Sequence, residues 1–465
     1  MTADWSGRHV HFVGIGGSGM SGIAKIALAR GATVSGSDLH PSPVLESLKA
    51  SGVSIFLDHD AKNVAGLNRD KDSIVRSSAI PVSNPELRAA HDNGMPIWER
   101  ANFLAELMQG YTSVAVAGTH GKTTTTSMLT VALQHCRLDP SFAIGAAVRN
   151  SGTNAHHGTG NIFVVEADES DGSFIAYKPS GAIITNIELD HVDNFKDLAS
   201  IDRAFESFIA SMARSAFLVA CIDDPGVVRL LKKLPTLRAD ISIITYGESA
   251  DADLVIDRVH LAARSARARA TLRGSVLGEL ELAIPGRHNL LNAAAALAAG
   301  IELGAPAAEI IAGLAIFTGA RRRFEIKGVS AGITVVDDYG HHPTEIRATL
   351  ATACDFVGSG RVIAIFQPHR FSRTQAFAAE FASELNSADL VYLLEIYPAS
   401  EKPIPGITSH SIASKMDASK VIYEPSMPEV IASVVKQARA GDLILTLGAG
   451  DVSSLAPLII ANLSE

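Results

Sequence analysis

The chain has 465 residues, enough for about three domains of ordinary size. Hydrophobic residues make up 47% and charged residues 19%, the balance of a chain that buries a core rather than one that stays disordered. With 40 Lys+Arg against 49 Asp+Glu the net charge is −9, which leaves binding to nucleic acid or to an anionic membrane without an electrostatic basis.

The first residues, MTADWSGRHV, lack a basic stretch followed by a long apolar one, and no apolar run approaches a span of ~20 residues. Cys136, Cys221 and Cys354 form no CxxC pair, so a reducing compartment fits and a cytoplasmic protein is expected. Short apolar strands then alternate with helices, which predicts an α/β fold with parallel sheets. His9–Val13 reads as a buried strand feeding Gly14-Ile-Gly16-Gly17-Ser18-Gly19-Met20, with a helix over residues 20–30. A second strand over 34–38 ends in Asp38. Glycines at this spacing let backbone approach a diphosphate at a helix N-terminus. Diphosphate is common to dinucleotides and sugar nucleotides, so the loop specifies a phosphate and not a redox reaction. Ser77 and Ser78 are expected to line the same crevice.

A strand over 114–117 feeds Gly118-Thr119-His120-Gly121-Lys122-Thr123-Thr124 and a helix over 124–135. The full G-x-x-x-x-G-K-[ST] pattern fails, because position 116 is Val116. What remains suffices for phosphate: Lys122 to neutralise terminal charge and Thr123 to place a hydroxyl on Mg²⁺. Glu166 closes an apolar strand and is a candidate ligand, while Asp168, Glu169 and Asp171 read as a solvated acidic turn. His191, in Asn186-Ile-Glu188-Leu-Asp190-His191-Val-Asp193, is a candidate second ligand. Residues 240–284 read as an antiparallel insertion. Gly286-Arg-His288-Asn289 precedes an alanine-rich helix and is placed to face an adenine. Arg321-Arg322-Arg323 is placed to clamp phosphates from across a cleft.

From residue 323 a third α/β stretch begins, with strands at 334–336, 362–366, 390–394 and 443–447 and helices at 344–354 and 376–385. Asp337-Asp338-Tyr339-Gly340-His341-His342 and Gln367-Pro-His369-Arg370-Phe-Ser-Arg373 fall at C-terminal strand ends, where open α/β sheets bind ligands. Domain boundaries are expected near 110 and 322. An NAD-dependent dehydrogenase would use only residues 9–38 and leave Lys122 and the acidic clusters idle. A P-loop ATPase without ligation would use only the central stretch.

Taken in order, HFVGIGGSGMSGIA, SSAI, AGTHGKTTTT, VVEADESDGSF, TNIELDHVDNF, PGRHNLLNAAAA, VVDDYGHHPTEI and FQPHRFSRT resemble the Mur ligase family, the ATP-dependent amide-bond synthetases of peptidoglycan precursor assembly. The resemblance covers essentially the whole chain, and the shortened phosphate loop is normal for that family. It implies a Rossmann-like domain for the UDP-sugar over 1–110. It further implies a central P-loop ATPase domain over 111–321 and a Rossmann-like domain receiving the amino acid over 322–465. Gly16, Gly17, Ser18, Gly19, Met20, Asp38, Ser77 and Ser78 then fall to the UDP-sugar. Gly118 to Thr124, His288, Asn289, Arg323 and either Asp337 or Asp338 fall to ATP. Thr123, Glu166 and His191 fall to Mg²⁺, with Mn²⁺ as the alternative ion. Tyr339, His341, His369, Arg370 and Arg373 fall to the muramyl carboxylate and incoming amino acid. The expected reaction joins L-alanine to the lactyl carboxylate of UDP-N-acetylmuramate through an acyl phosphate, with Lys122 and Arg323 on the phosphoryl group and His341 or His342 taking the amine proton. In the branch that adds a recycled tripeptide, the stretches matching EADESDGSF and QPHRFSRT read differently.

Overall fold

The computed structural model describes residues 5–464; residues 1–4, the start of the stretch read for a leader, lie outside the described residues. Near the N-terminus, β1 (His9–Val13), β2 (Thr33–Ser37), β3 (Ser54–Phe56), β4 (Ser73–Arg76) and β5 (Ile97–Glu99) form a parallel sheet in the order β3-β2-β1-β4-β5. β1 is central, and its apolar Val10, Phe12 and Val13 are fully buried, while His11 is buried with hydrogen-bond partners. Helix Ser18–Ala29 starts two residues earlier than the expected 20, directly on the glycine loop.

The central sheet has ten strands: β6 (Thr112–Ala117), β7 (Ser141–Ala143), β8 (Ala155–His156), β9 (Ile162–Glu166), β10 (Gly181–Ile184), β11 (Phe217–Cys221), β12 (Ser242–Gly247), β13 (Leu254–Ala262), β14 (Ser265–Leu272) and β15 (Ser275–Leu282). Their order is β15-β14-β13-β12-β11-β10-β6-β9-β7-β8. The antiparallel insertion expected over 240–284 is present but narrower, over residues 254–282. β12 is parallel to both β11 and β13, and only β13 to β15 form an antiparallel meander, which extends the same sheet. Helices Lys122–His135 and Arg287–Glu302 share one hydrophobic core with β6, in which Ala293 to Ala299 are buried without exception. His288 and Asn289, expected ahead of the alanine-rich helix, lie in its first turn.

The third sheet, β16 (Glu325–Ser330), β17 (Ile333–Asp338), β18 (Val362–Phe366), β19 (Leu390–Leu393), β20 (Val421–Tyr423) and β21 (Leu443–Leu447), has the order β16-β17-β21-β18-β19-β20 and is parallel apart from the β16–β17 hairpin. Two helices run longer than expected. Pro343–Val357 starts at a proline behind the His342 cap, whose ring accepts from the Thr344 amide. Phe371–Leu385 holds a non-helical Phe377 (φ −122°, ψ 20°), which breaks the apolar period and hides the first turns. Among the described residues no helix is long and apolar enough to cross a membrane.

Candidate active site

The phosphate loop joins β6 to helix Lys122–His135, with the left-handed Gly121 at the cap. Gly118 has φ +133°, and a Cβ there would stand 2.1 Å from the Thr185 hydroxyl, so only glycine fits. Lys122 Nζ donates to Glu169 Oε1 and Oε2 at 3.0 and 2.9 Å and to the Gly118 carbonyl at 2.6 Å. This corrects the reading of a wholly solvated acidic turn: Asp171 is exposed, but Glu169 is fully buried against Lys122. Burial pushes the Lys122 pKa down, and the charges of Glu169, Asp168 and Glu166 outweigh it and raise it.

The three expected metal ligands divide between two neighbouring points. Thr123 Oγ1 donates to Glu166 Oε1 at 2.8 Å and accepts from Arg323 at 3.2 Å. His191, held at φ +50°, instead joins Asp168 and Glu169, whose ligand atoms lie within 4.8 Å of its own. Asp168 and Glu169 are thus two acids the sequence reading set aside.

Between the central and C-terminal sheets lies a cleft of about 1020 Å³. Of the expected ATP residues, His120, Gly121, Thr124, His288, Asn289, Arg323 and Asp338 line it. Gly118, Thr119, Lys122 and Thr123 lie in the loop at its edge. Asp337 does not line it: neighbouring strand residues point to opposite faces, and Asp337 accepts from Thr446 Oγ1 at 2.7 Å. Burial and the nearby Arg323 bring the His288 pKa down to about 4, leaving a neutral ring in the cleft. His120 sits 3.2 Å from Glu345 and 3.5 Å from Glu188, carboxylates of different units. Burial opposes its charge, and the two carboxylates outweigh that and raise its pKa to about 9. Glu188, Glu345 and Asn292 were missed by sequence reasoning; Asn292 accepts from Thr125 Oγ1 at 3.1 Å.

A second cleft, of about 890 Å³, runs from Gly17, Ser18 and Gly19 to Glu166 and Asp168. Met20 and Ser77 line it as well, whereas Gly16, Asp38 and the exposed Ser78 do not. The Gly16 amide donates to Asp38 Oδ2 at 2.9 Å, so the two hold the loop rather than face the cleft. Arg100 was also missed. It packs on Gly19 in the cleft wall, with no carboxylate partner among the described residues.

The C-terminal strand-end residues gather against the loop around His191. Arg373 is buried with Asp190, bonding Oδ1 at 2.7 and 2.9 Å, and Arg370 pairs with Asp193. The Tyr339 ring lies under the guanidiniums of Arg322 and Arg323, 4.9 and 5.2 Å from its centroid. His369 stacks on Tyr397 and accepts at Nδ1 from Arg373. His341 donates from Nδ1 to the Tyr339 carbonyl at 3.0 Å, which leaves Nε2 as an acceptor. Burial lowers its pKa to about 4. His342 has both ring nitrogens engaged, by Leu189 O and the Thr344 amide.

The chain matches three family models in succession: Mur ligase family, catalytic domain over residues 9–112; Mur ligase middle domain over 116–300; and Mur ligase, glutamate ligase domain over 322–450. A UDP-N-acetylmuramate–L-alanine ligase of Acidothermus cellulolyticus is 48% identical over 453 residues, covering 97% of this chain and 94% of that one. One of Saccharopolyspora erythraea is 48% identical over 463 residues, covering 98% and 94%. The crystal structure of a UDP-N-acetylmuramate–alanine ligase from Thermotoga maritima superposes with a TM-score of 0.80 at 29% identity, over 97% of this chain and 98% of that one. With its phosphate loop, its two adjoining clefts and three consecutive domain matches, the chain belongs to the Mur ligase family.

Proposed function

We propose that the protein is an ATP-dependent ligase that joins L-alanine to the lactyl carboxylate of UDP-N-acetylmuramate, releasing ADP and phosphate, in peptidoglycan precursor synthesis. One observation carries the reading: Glu166 lines the cleft that starts at Gly17–Gly19 and also bonds Thr123 of the phosphate loop. A sugar nucleotide laid along that cleft, diphosphate on the N-terminus of helix Ser18–Ala29 and beside Arg100, brings its acid end to where ATP delivers a phosphoryl group. The names of the relatives above supply the amino acid, L-alanine.

A carboxylate is a poor acyl donor. Transfer of the terminal phosphoryl group makes it an acyl phosphate and expels ADP; the amine of alanine then attacks the acyl carbon, and phosphate leaves. Lys122 and Arg323 hold the charge of the phosphoryl group. His341, neutral above about pH 4 and with Nε2 left as an acceptor, takes the proton of the amine, while His342 serves as a helix cap. The buried Arg373–Asp190 pair and the His120 bridge close the C-terminal unit over the site, keeping water from the acyl phosphate. Thr123, Glu166, Asp168, Glu169 and His191 offer hydroxyl, carboxylate and imidazole donors that fit Mg²⁺, or Mn²⁺ in its place. When bound, the ion neutralises charge on the transferred group. Glu166→Gln and Asp168→Asn are expected to raise the Mg²⁺ concentration for half-maximal turnover by about ten-fold or more; an unchanged requirement removes that residue from the site.

The deciding experiment measures ADP and phosphate release with UDP-N-acetylmuramate present, with and without L-alanine, glycine or L-serine. Release that needs both the sugar nucleotide and alanine supports ligation. Hydrolysis indifferent to both sinks it.

A further inference from the structure

Away from both clefts, the first unit buries an ionisable network that the reaction does not use. Glu86, at the start of helix Pro85–Asp92, is 0% exposed and takes four hydrogen-bond donors. His11 Nε2 donates to Oε1 at 3.3 Å and Asn63 Nδ2 to the same oxygen at 2.8 Å. The Ser37 hydroxyl donates to Oε2 at 2.7 Å and His59 Nδ1 to the same oxygen at 2.9 Å. Burial drives the Glu86 pKa up, yet the bonds from His11, Asn63 and Ser37 outweigh it and hold the group ionised. An ionised carboxylate only accepts, so His59 carries its proton on Nδ1.

A buried charge of this kind is a poor means of stabilising a domain. Taking it out of water costs several kcal/mol, and apolar side chains of similar volume serve stability as well or better. What the network does hold is specific. The Ser37 carbonyl accepts from both the Gly14 and Ile15 amides, at 2.9 and 3.0 Å, so Ser37 fixes the start of the glycine loop with its backbone and Glu86 with its side chain. The next residue, Asp38, accepts from the Gly16 amide. His59 follows β3 and stands beside Ser37, 3.0 Å from its hydroxyl, at the carboxyl edge of the sheet where open α/β folds take nucleotides.

We propose that Glu86 is a positioning residue for the nucleotide end of the substrate, clamping Ser37 and His59 so that the glycine loop meets its ligand already ordered. The inference rests on the sugar-nucleotide reading of that loop. Glu86→Gln keeps the volume and removes the charge, and since an amide nitrogen accepts no hydrogen bond, two of the four donors lose their acceptor whichever way the amide faces. Ser37→Ala removes one link and keeps the backbone contacts.

The test titrates wild type and both variants with UDP-N-acetylmuramate and with ATP by calorimetry, measures KM and kcat, and records thermal melting. The expected result is a rise of about ten-fold or more in Kd and KM for the sugar nucleotide in both variants. ATP affinity and kcat at saturating sugar nucleotide should stay within about two-fold, because neither residue touches the phosphate loop. Unchanged sugar-nucleotide affinity in a folded variant overturns the proposal, and so does an equal loss toward both nucleotides, the mark of a purely structural role. If Glu86→Gln does not fold, Ser37→Ala decides by the same readouts. Wild type that binds ATP but no UDP-N-acetylmuramate instead overturns the sugar-nucleotide reading itself, a different result from tight wild-type binding left intact in the variants.

Discussion

Under the proposed reaction, Lys122 serves folding and chemistry together. Its ammonium is 12% exposed and the Glu169 carboxylate 0%, so each is the other's main compensation in a low-dielectric setting. Lys122→Ala therefore strands a buried carboxylate and, under the proposed reaction, also removes a charge from the transferred phosphoryl group. Turnover is expected to fall by about 10²–10³, and stability by about 3–5 kcal/mol. The pair Lys122→Ala, Glu169→Ala should regain much of that stability while remaining inactive. Denaturant midpoints alongside turnover check this, and a double variant no more stable than the single one rejects the coupling. The places of Lys122, Thr123 and Glu166 were legible because each sits at a helix start or strand end, and that of His191 because its loop continues one motif from β10. Glu169, Glu188, Asp190 and Glu345 were not. A run such as Glu166-Ala-Asp168-Glu169-Ser-Asp171 looks solvated in isolation, and only partners from elsewhere in the chain make one of its acids buried.

At the scale of elements, strand followed by glycine turn and helix was readable throughout, because a short apolar run closed by glycine has few alternatives in an α/β protein. Less readable was where direction changes. β12 to β15 share β-rich composition, yet β12 runs parallel and the next three alternate. Composition says strand and nothing about pairing partner. The first glycine loop gives a test at this scale. A Cβ on Gly16 would meet Asp38 Oδ2 at 2.7 Å, the atom its amide already bonds. Gly16→Val should push Asp38 away, shift the turn, and weaken UDP-N-acetylmuramate binding by about ten-fold or more. ATP binding, on a loop in another unit, should hold. Calorimetry with both ligands and with NAD distinguishes this from the dehydrogenase alternative, in which wild type binds NAD and the valine variant does not.

For the molecule as a whole, the joint between the central and C-terminal units is electrostatic and therefore depends on pH. His120 has its pKa raised from 6.5 to about 9, so its bridging contribution is complete below 6.5 and is lost as pH climbs through 9. Glu188 is lowered from 4.5 to about 2 by His120 and Thr344 against the opposing effect of burial, so its share is present above 4.5 and is lost as pH falls through 2. Docking should be strongest between about pH 4.5 and 6.5 and loosen on the alkaline side. Small-angle scattering at pH 6.5 and about pH 10 should show a larger radius of gyration at the higher value, with a smaller change in His120→Asn. Equal pH dependence in both proteins removes His120 from the joint. The same joint has a consequence for the chain while it is being made. Arg323 reaches Thr123 across 200 residues, and Arg373 reaches Asp190 across 183. At about 5–20 residues per second, a ribosome takes about 10–40 s to pass from one half of the phosphate site to the other. Throughout that interval the nascent central unit has its phosphate loop but neither the arginine nor the cover that completes it. Under the proposed reaction an unfinished chain is expected to leave ATP unspent, because the last third to be translated carries Arg323 and Arg373, which reach the phosphate loop and its neighbouring Asp190.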